Sequence, residues 1–136
     1  MNHKIACAIK AVAAVLIVAA ISSCSAAQTV QEFVKTGDAF MTALKDGNYE
    51  QAYSLFVPEL QKEVGAASNL QTMIKSNNAQ PEKWSFNSFN VATKNQTQTA
   101  TMSGNVTYKD GRKGAVTLEM VKVGQDWKMT KFNLTW

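Results

Sequence analysis

Thr97-Gln98-Thr99-Ala100-Thr101-Met102-Ser103-Gly104-Asn105-Val106-Thr107-Tyr108 alternates without a slip. One face carries Ala100, Met102, Gly104, Val106 and Tyr108, and the other Thr97, Thr99, Thr101, Ser103, Asn105 and Thr107. Period two over this length predicts a strand with one buried and one wet face. Lys109-Asp110-Gly111-Arg112 follows, and Asp-Gly is a hairpin pair because glycine tolerates positive φ. Val116, Leu118 and Met120 continue on a returning strand, and Gly124-Gln125-Asp126 turns the chain into Trp127 to Trp136. The second half of the chain therefore reads as an antiparallel meander.

Two strands change phase. Trp84 and Phe86 stand at even positions and Phe89 and Val91 at odd ones; Trp127 and Met129 likewise give way to Phe132, Leu134 and Trp136. A one-residue slip would expose a whole apolar set, so a β-bulge is predicted in each, and bulged strands bend.

Upstream of Pro81 the period is helical. Val30, Phe33, Val34, Gly37, Phe40, Met41 and Leu44 form one buried stripe that Gly47 ends. Asn48 with Gln51 predicts the start of a short helix carrying Tyr49, Ala52, Tyr53, Leu55 and Phe56. Pro58 suits the first turn of another, and Ser68 or Asn69 is expected to cap a last one carrying Leu70, Met73 and Ile74. The fold class is α+β, with N-terminal helices packed on a strongly curved four-stranded antiparallel sheet.

The first residues differ in kind. Lys4 and Lys10 precede Ala11 to Ile21, an unbroken apolar run of eleven residues, and Ser22-Ser23-Cys24-Ser25-Ala26-Ala27 are all small. A basic start, a short apolar run and a small-residue exit make a secretory signal, and a bilayer-spanning helix needs about 20 residues. Ile21-Ser22-Ser23-Cys24 resembles the bacterial lipobox, which implies cleavage before Cys24 and its acylation. The expected organisation is a signal peptide over 1–23, a short tether over 24–27 and one domain over 28–136. The expected location is extracytoplasmic, lipid-anchored to the bacterial cell membrane or, by the Ser25 that follows the cysteine, the outer membrane. Cleavage after Ser25-Ala26-Ala27 would instead release a secreted domain, and an uncleaved anchor is the third reading.

The whole chain of 136 residues carries +4. Without 1–23, twelve Lys and Arg face ten Asp and Glu, a balance of +2 with no basic cluster. Nucleic acid is not an expected partner. Lys109, Arg112 and Lys113 gather only at a predicted turn and read as a solvated hairpin tip. Cys7 and Cys24 both precede the domain, so no disulfide staples it. No internal repeat or low-complexity tract appears, and the Asn95, Asn105 and Asn133 sequons read as chance matches on turns and strand faces.

The segment Phe40-Met41-Thr42-Ala43-Leu44-Lys45-Asp46-Gly47-Asn48-Tyr49-Glu50-Gln51-Ala52-Tyr53, with Val106-Thr107-Tyr108-Lys109-Asp110-Gly111 and Asp126-Trp127-Lys128-Met129, resembles the nuclear transport factor 2-like (cystatin-like) superfamily. Within it, the last two segments resemble those of small bacterial envelope lipoproteins, many of them uncharacterised. The resemblance covers about 28–136 and implies a cone of sheet around helices, and a homodimer through the sheet. In enzymatic members, isomerases and dehydratases among them, the cone holds acids, histidines and tyrosines.

The exported part has no histidine, since His3 lies in the signal, so His-rich metal sites and Ser-His or Cys-His nucleophiles are excluded. No cofactor motif is present. A carboxylate paired with a tyrosine could still move a proton, Asp38 with Tyr49, Tyr53 or Tyr108 being the candidates; Asp110 and Asp126 fall in turns and Glu119 alternates outward. The favoured expectation is a non-catalytic domain binding an envelope protein or a small apolar ligand. The candidate pocket lining is Tyr53, Trp84, Phe86, Met102, Tyr108, Met120 and Trp127, with Ala100, Gly104 and Gly114 as small residues between them. The plainer reading of those small residues is close packing of a helix on the sheet.

Overall fold

The structure is a computed structural model that describes the backbone from residue 17 to 136 and side chains from residue 29 onward. The chain divides into a unit Met1–Glu32 and a unit Phe33–Trp136. Most of the signal-peptide reading, residues 1–16, lies outside the described residues. No helix among the described residues is long and apolar enough to cross a membrane.

Helix α1 spans Ile17–Asp46, beginning ahead of the apolar stripe and running through 24–27. It ends where Gly47 takes φ +74°. There the Asn48 amide donates to Ala43 O and the Gly47 amide to Leu44 O, the paired bonds of a Schellman stop. Asn48 then starts α2, Tyr49–Ser54, by accepting the Gln51 amide on its side chain, a cap that contributes about 1 kcal/mol. Helix α3 is Pro58–Val64, with Pro58 in its first turn.

Helix α4, Ala67–Ser76, corrects the predicted cap. Its N-cap is Ala66, which has no side chain to offer, and both Ser68 and Asn69 lie inside the helix. Asn69 reaches backward to donate to Val64 O at 2.9 Å, so its side chain ties α3 to α4 instead of starting a helix. Helix α4 ends by the same device as α1, with Asn78 at φ +51°, the Asn78 amide on Lys75 O and the Ala79 amide on Ile74 O.

Four strands follow in the sheet order β1-β2-β3-β4, all antiparallel: β1 Pro81–Lys94, β2 Thr97–Tyr108, β3 Lys113–Val123 and β4 Asp126–Leu134. Both expected bulges are present. In β1 the register shifts between Phe86 and Ser88, so Trp84 and Phe86 pair with Val106 and Gly104 while Phe89 and Val91 pair with Met102 and Ala100. In β4 the shift lies opposite Glu119 and Met120, and Met129 and Phe132 pair with Met120 and Leu118. The extra residue thus returns each apolar set to the helix-facing side. Asn95 and Gln96 close the β1–β2 turn, both at positive φ.

The core lies between α1 and that inner face. Phe33, Phe40, Met41 and Leu44 from the helix meet Met102, Val116, Leu118, Met120 and Met129 from the sheet, each fully or almost fully buried. Each such side chain contributes roughly 1.5–3 kcal/mol as an upper figure. Phe56 stacks on Phe132 at 5.6 Å and tilts on Phe40 at 5.8 Å. It is held there because the Val57 amide donates to Met129 O and the Met129 amide to Leu55 O, which covers part of the β4 edge. Small residues act differently from the expectation. Gly37 on α1 makes room for Met102, whereas Gly104 and Gly114 make room for neighbouring backbone, at Ser85 and at Thr135.

Candidate functional site

The β2–β3 turn is exposed, as expected of a hairpin tip, yet its side chains are tied to neighbouring backbone. The Arg112 guanidinium donates to Asn77 O at 2.7 Å, to Asn78 O at 2.9 Å and to Asp110 Oδ2 at 2.7 Å. Lys109 Nζ donates to Lys45 O at 2.7 Å, and Gln80 Nε2 to Leu44 O and Lys45 O. These are carbonyls that helix ends leave without intrahelical donors, and cations suit the negative end of a helix. The turn thereby clamps the C-termini of α1 and α4 to one end of the sheet. The Arg112 backbone amide, followed by its side chain, holds the exposed Asp110 carboxyl below its ordinary range.

That clamp builds a groove. Met73, Ile74 and Asn77 from the last turns of α4, Ala79 after it, and Phe132, Asn133, Leu134 and Trp136 from the end of the chain enclose about 200 Å³. Arg112 lies over the Trp136 ring at 5.0 Å and over the Tyr108 ring at 5.7 Å, and the two rings meet edge to face at 6.0 Å. Met73 and Trp136 remain 42% and 53% exposed, although both are large and apolar. Large apolar side chains left open around a concave surface mark a place where apolar matter binds. An adjoining, more polar hollow of about 490 Å³ shares Ile74 and adds Lys75, Asn78, Gln80, Lys109 and Asp110.

Neither this groove nor the adjoining hollow draws on the residues expected to line a pocket. Met102, Tyr108, Met120 and Trp127 are 1–4% exposed and belong to the core. Trp127 meets Phe33 edge-on at 5.5 Å. The Tyr53 hydroxyl donates to Gln61 O at 2.8 Å and the Tyr108 hydroxyl to Thr135 O at 2.7 Å. Phe86 is half-buried, and Trp84 lines a separate shallow hollow with Lys83, Ser85, Asn105 and Thr107. Phe132, Leu134 and Trp136 were visible as an apolar alternation at the end of the chain. Nothing in the sequence joins them to Met73.

The carboxylate and tyrosine pairing is not formed. Asp38 is exposed and accepts the Trp84 indole N–H at 2.9 Å. The Tyr49 hydroxyl is buried without a partner, and burial raises its pKa. Burial also raises that of Tyr108, against the opposing charge of Arg112. No charged side chain is buried among the described residues, nor do they include a cluster of acids, histidines and cysteines able to hold a metal.

Helices followed by a bent four-stranded meander define a class of protein, the NTF2-like α+β fold. A protein of the NTF2-like family from Streptomyces avermitilis, provisionally named a dehydratase, superimposes with a TM-score of 0.51 at 14% identity, over 77% of this chain and 94% of its own. At that identity the likeness is one of fold. Residues 23–135 match the family described as "Domain of unknown function (DUF4864)", and the chain belongs to that family. Among curated proteins none matches.

Proposed function

We propose that this chain is a lipid-anchored extracytoplasmic binding domain that takes an apolar ligand, or an apolar side chain of an envelope protein, into the groove between α4 and β4. The observation that carries the reading is the groove itself, with Met73 and Trp136 left open on its rim. Its volume, about 200 Å³, suits one ring or a short branched chain, well below the roughly 300–1,000 Å³ of sites that enclose a drug-sized molecule. A binding role is favoured over a catalytic one because, among the described residues, every carboxylate has solvent access and none touches a tyrosine hydroxyl.

The anchor rests on sequence. The basic start, the apolar run and Cys24 support it, and the family match begins at residue 23, beside that cysteine. Acyl chains fix a protein to a bilayer because each buried methylene contributes about 0.8 kcal/mol.

Native mass spectrometry of the protein purified from its own host tests both halves. The expected spectrum shows a chain beginning at acylated Cys24 and carrying a retained apolar ligand that the variant Met73→Asp loses. A chain that keeps Met1, or a ligand indifferent to Met73→Asp and Leu134→Asp alike, would overturn the corresponding half.

A further inference from the structure

We propose that Met73 is a site of reversible oxidation, at which a peroxide converts the thioether to a sulfoxide and so empties the groove; the inference rests on the binding role given to that groove above. Peroxides oxidise exposed sulfur, and burial protects it. Cys7 and Cys24 both precede the domain, so its sulfur atoms are those of Met41, Met73, Met102, Met120 and Met129. Four of these, all but Met73, are core residues at most 1% exposed. Among the described methionines Met73 alone is open, at 42%, and it is the one that lines the groove.

The step transfers one oxygen atom and two electrons. A sulfur lone pair attacks the peroxide, the O–O bond breaks, an S–O bond forms and the second oxygen leaves as water. The sulfur is oxidised and the peroxide reduced. A dithiol reverses the change, becoming a disulfide while the sulfoxide oxygen leaves as water.

What changes is the wall of the site. Met73 stands there with Ile74, Phe132, Leu134 and Trp136, and oxidation turns its flexible apolar end into a polar, chiral one. A ligand that covers the new oxygen takes it from water and gives it no partner, which costs about tenfold or more in affinity. The wall itself is pinned. Asn77 Nδ2 donates to Met73 O at 2.8 Å, the Ala79 amide donates to Ile74 O at 2.9 Å, and Arg112 holds Asn77 O and Asn78 O. The end of α4 therefore stays in place, and the ligand bears the cost.

The test uses the chain as its host matures it, isotope-labelled at the methionine and isoleucine methyl groups and held in discs of saturated phospholipid. Ile74 is the last isoleucine of the chain and lines the groove, so its methyl signal in NMR spectra reports occupancy. Ile74→Val identifies that signal and Met73→Leu the signal of Met73. The probe is N-acetylphenylalaninamide, an uncharged soluble ring. With hydrogen peroxide, the Met73 signal is expected to move to the sulfoxide position while the four core signals persist. Probe affinity read at Ile74 is expected to fall about tenfold or more. Both methionine sulfoxide reductases, one for each epimer, with dithiothreitol should restore signal and affinity. Met73→Leu, whatever its starting affinity, should show no change with peroxide. Core methionines that oxidise as fast as Met73, a sulfoxide that the reductases leave in place, or a peroxide response that persists in Met73→Leu would each overturn the proposal. Oxidised Met73 with undiminished probe affinity overturns it too, and leaves the groove reading standing. A probe that moves the Ile74 signal in neither form overturns the groove reading, and the inference with it.

Discussion

The guanidinium of Arg112 lies 5.0 Å over the ring of Trp136, and the same group donates to Asn77 O and Asn78 O, 35 and 34 residues away in sequence. One side chain thus sets the distance between the two walls of the groove.

Replacing it by a lysine separates fork geometry from charge. Arg112→Lys keeps the cation but cannot reach two carbonyls and a carboxylate together, because an ammonium is a point charge without the planar fork. The expected loss is about 1–2 kcal/mol in urea unfolding, from bonds made by a charged donor that is partly solvated. Trp136 loses its cover at the same time, and its emission shifts to the red. An unchanged stability would mean that charge alone acts here.

How much was legible follows from which contacts are local. The alternation from Thr97 to Tyr108 and the Asp110-Gly111 turn encode the meander in neighbouring residues, and the phase changes at Phe89 and Phe132 encode the bulges. The α4 cap was not legible because Ala66 has no capping side chain, while Asn69, a good capping residue, is spent on Val64 O. The groove was hidden for a stronger reason. Met73 on a helix and Trp136 at the chain's end meet only through a turn whose charges, read locally, look solvated. Met102, Tyr108 and Met120, expected around a pocket, are instead buried in the core, where the end of Met102 takes the room that Gly37 leaves.

Tyr49 offers a test with a sign worked out in advance. Its hydroxyl is buried without a partner, a cost of about 1–3 kcal/mol. Tyr49→Phe removes the cost and is expected to stabilise the domain by about 1 kcal/mol after allowing for relaxation. The pKa of Tyr49 is raised from 10.0 by burial, so the folded form favours the protonated phenol. Below pH 10 the two states bind the proton alike; above it the unfolded chain ionises first and stability falls with rising pH. Tyr49→Phe should shallow that alkaline decline, leaving the part owed to Tyr108, which is raised by burial against Arg112. Chemical denaturation at pH 8 and above pH 10 measures both effects, and a destabilised variant would show that the hydroxyl has a partner in solution.

Three glycines near the sheet predict a ranking. An alanine Cβ at Gly104 would overlap the carbonyl oxygen of Ser85 and press on the Cα of Phe86, backbone atoms fixed by the bulge just beyond them. At Gly37 the same Cβ meets Met102 Sδ and Cε at 2.8 Å, the far end of a flexible side chain that can swing aside. At Gly111 it meets nothing within 4 Å, but φ is +91°, which an L residue adopts only at a cost of about 1 kcal/mol. Gly104→Ala should therefore cost most, about 3 kcal/mol or more, because strand must part from strand. Gly37→Ala and Gly111→Ala should each stay near about 1 kcal/mol, for packing and backbone reasons respectively. Thermal unfolding of the three variants orders them. If Gly104→Ala proved the mildest, β1 would have to cross β2 without the close approach at Ser85, and the bend that brings Trp84, Phe86, Phe89 and Val91 onto one face would lose its physical basis.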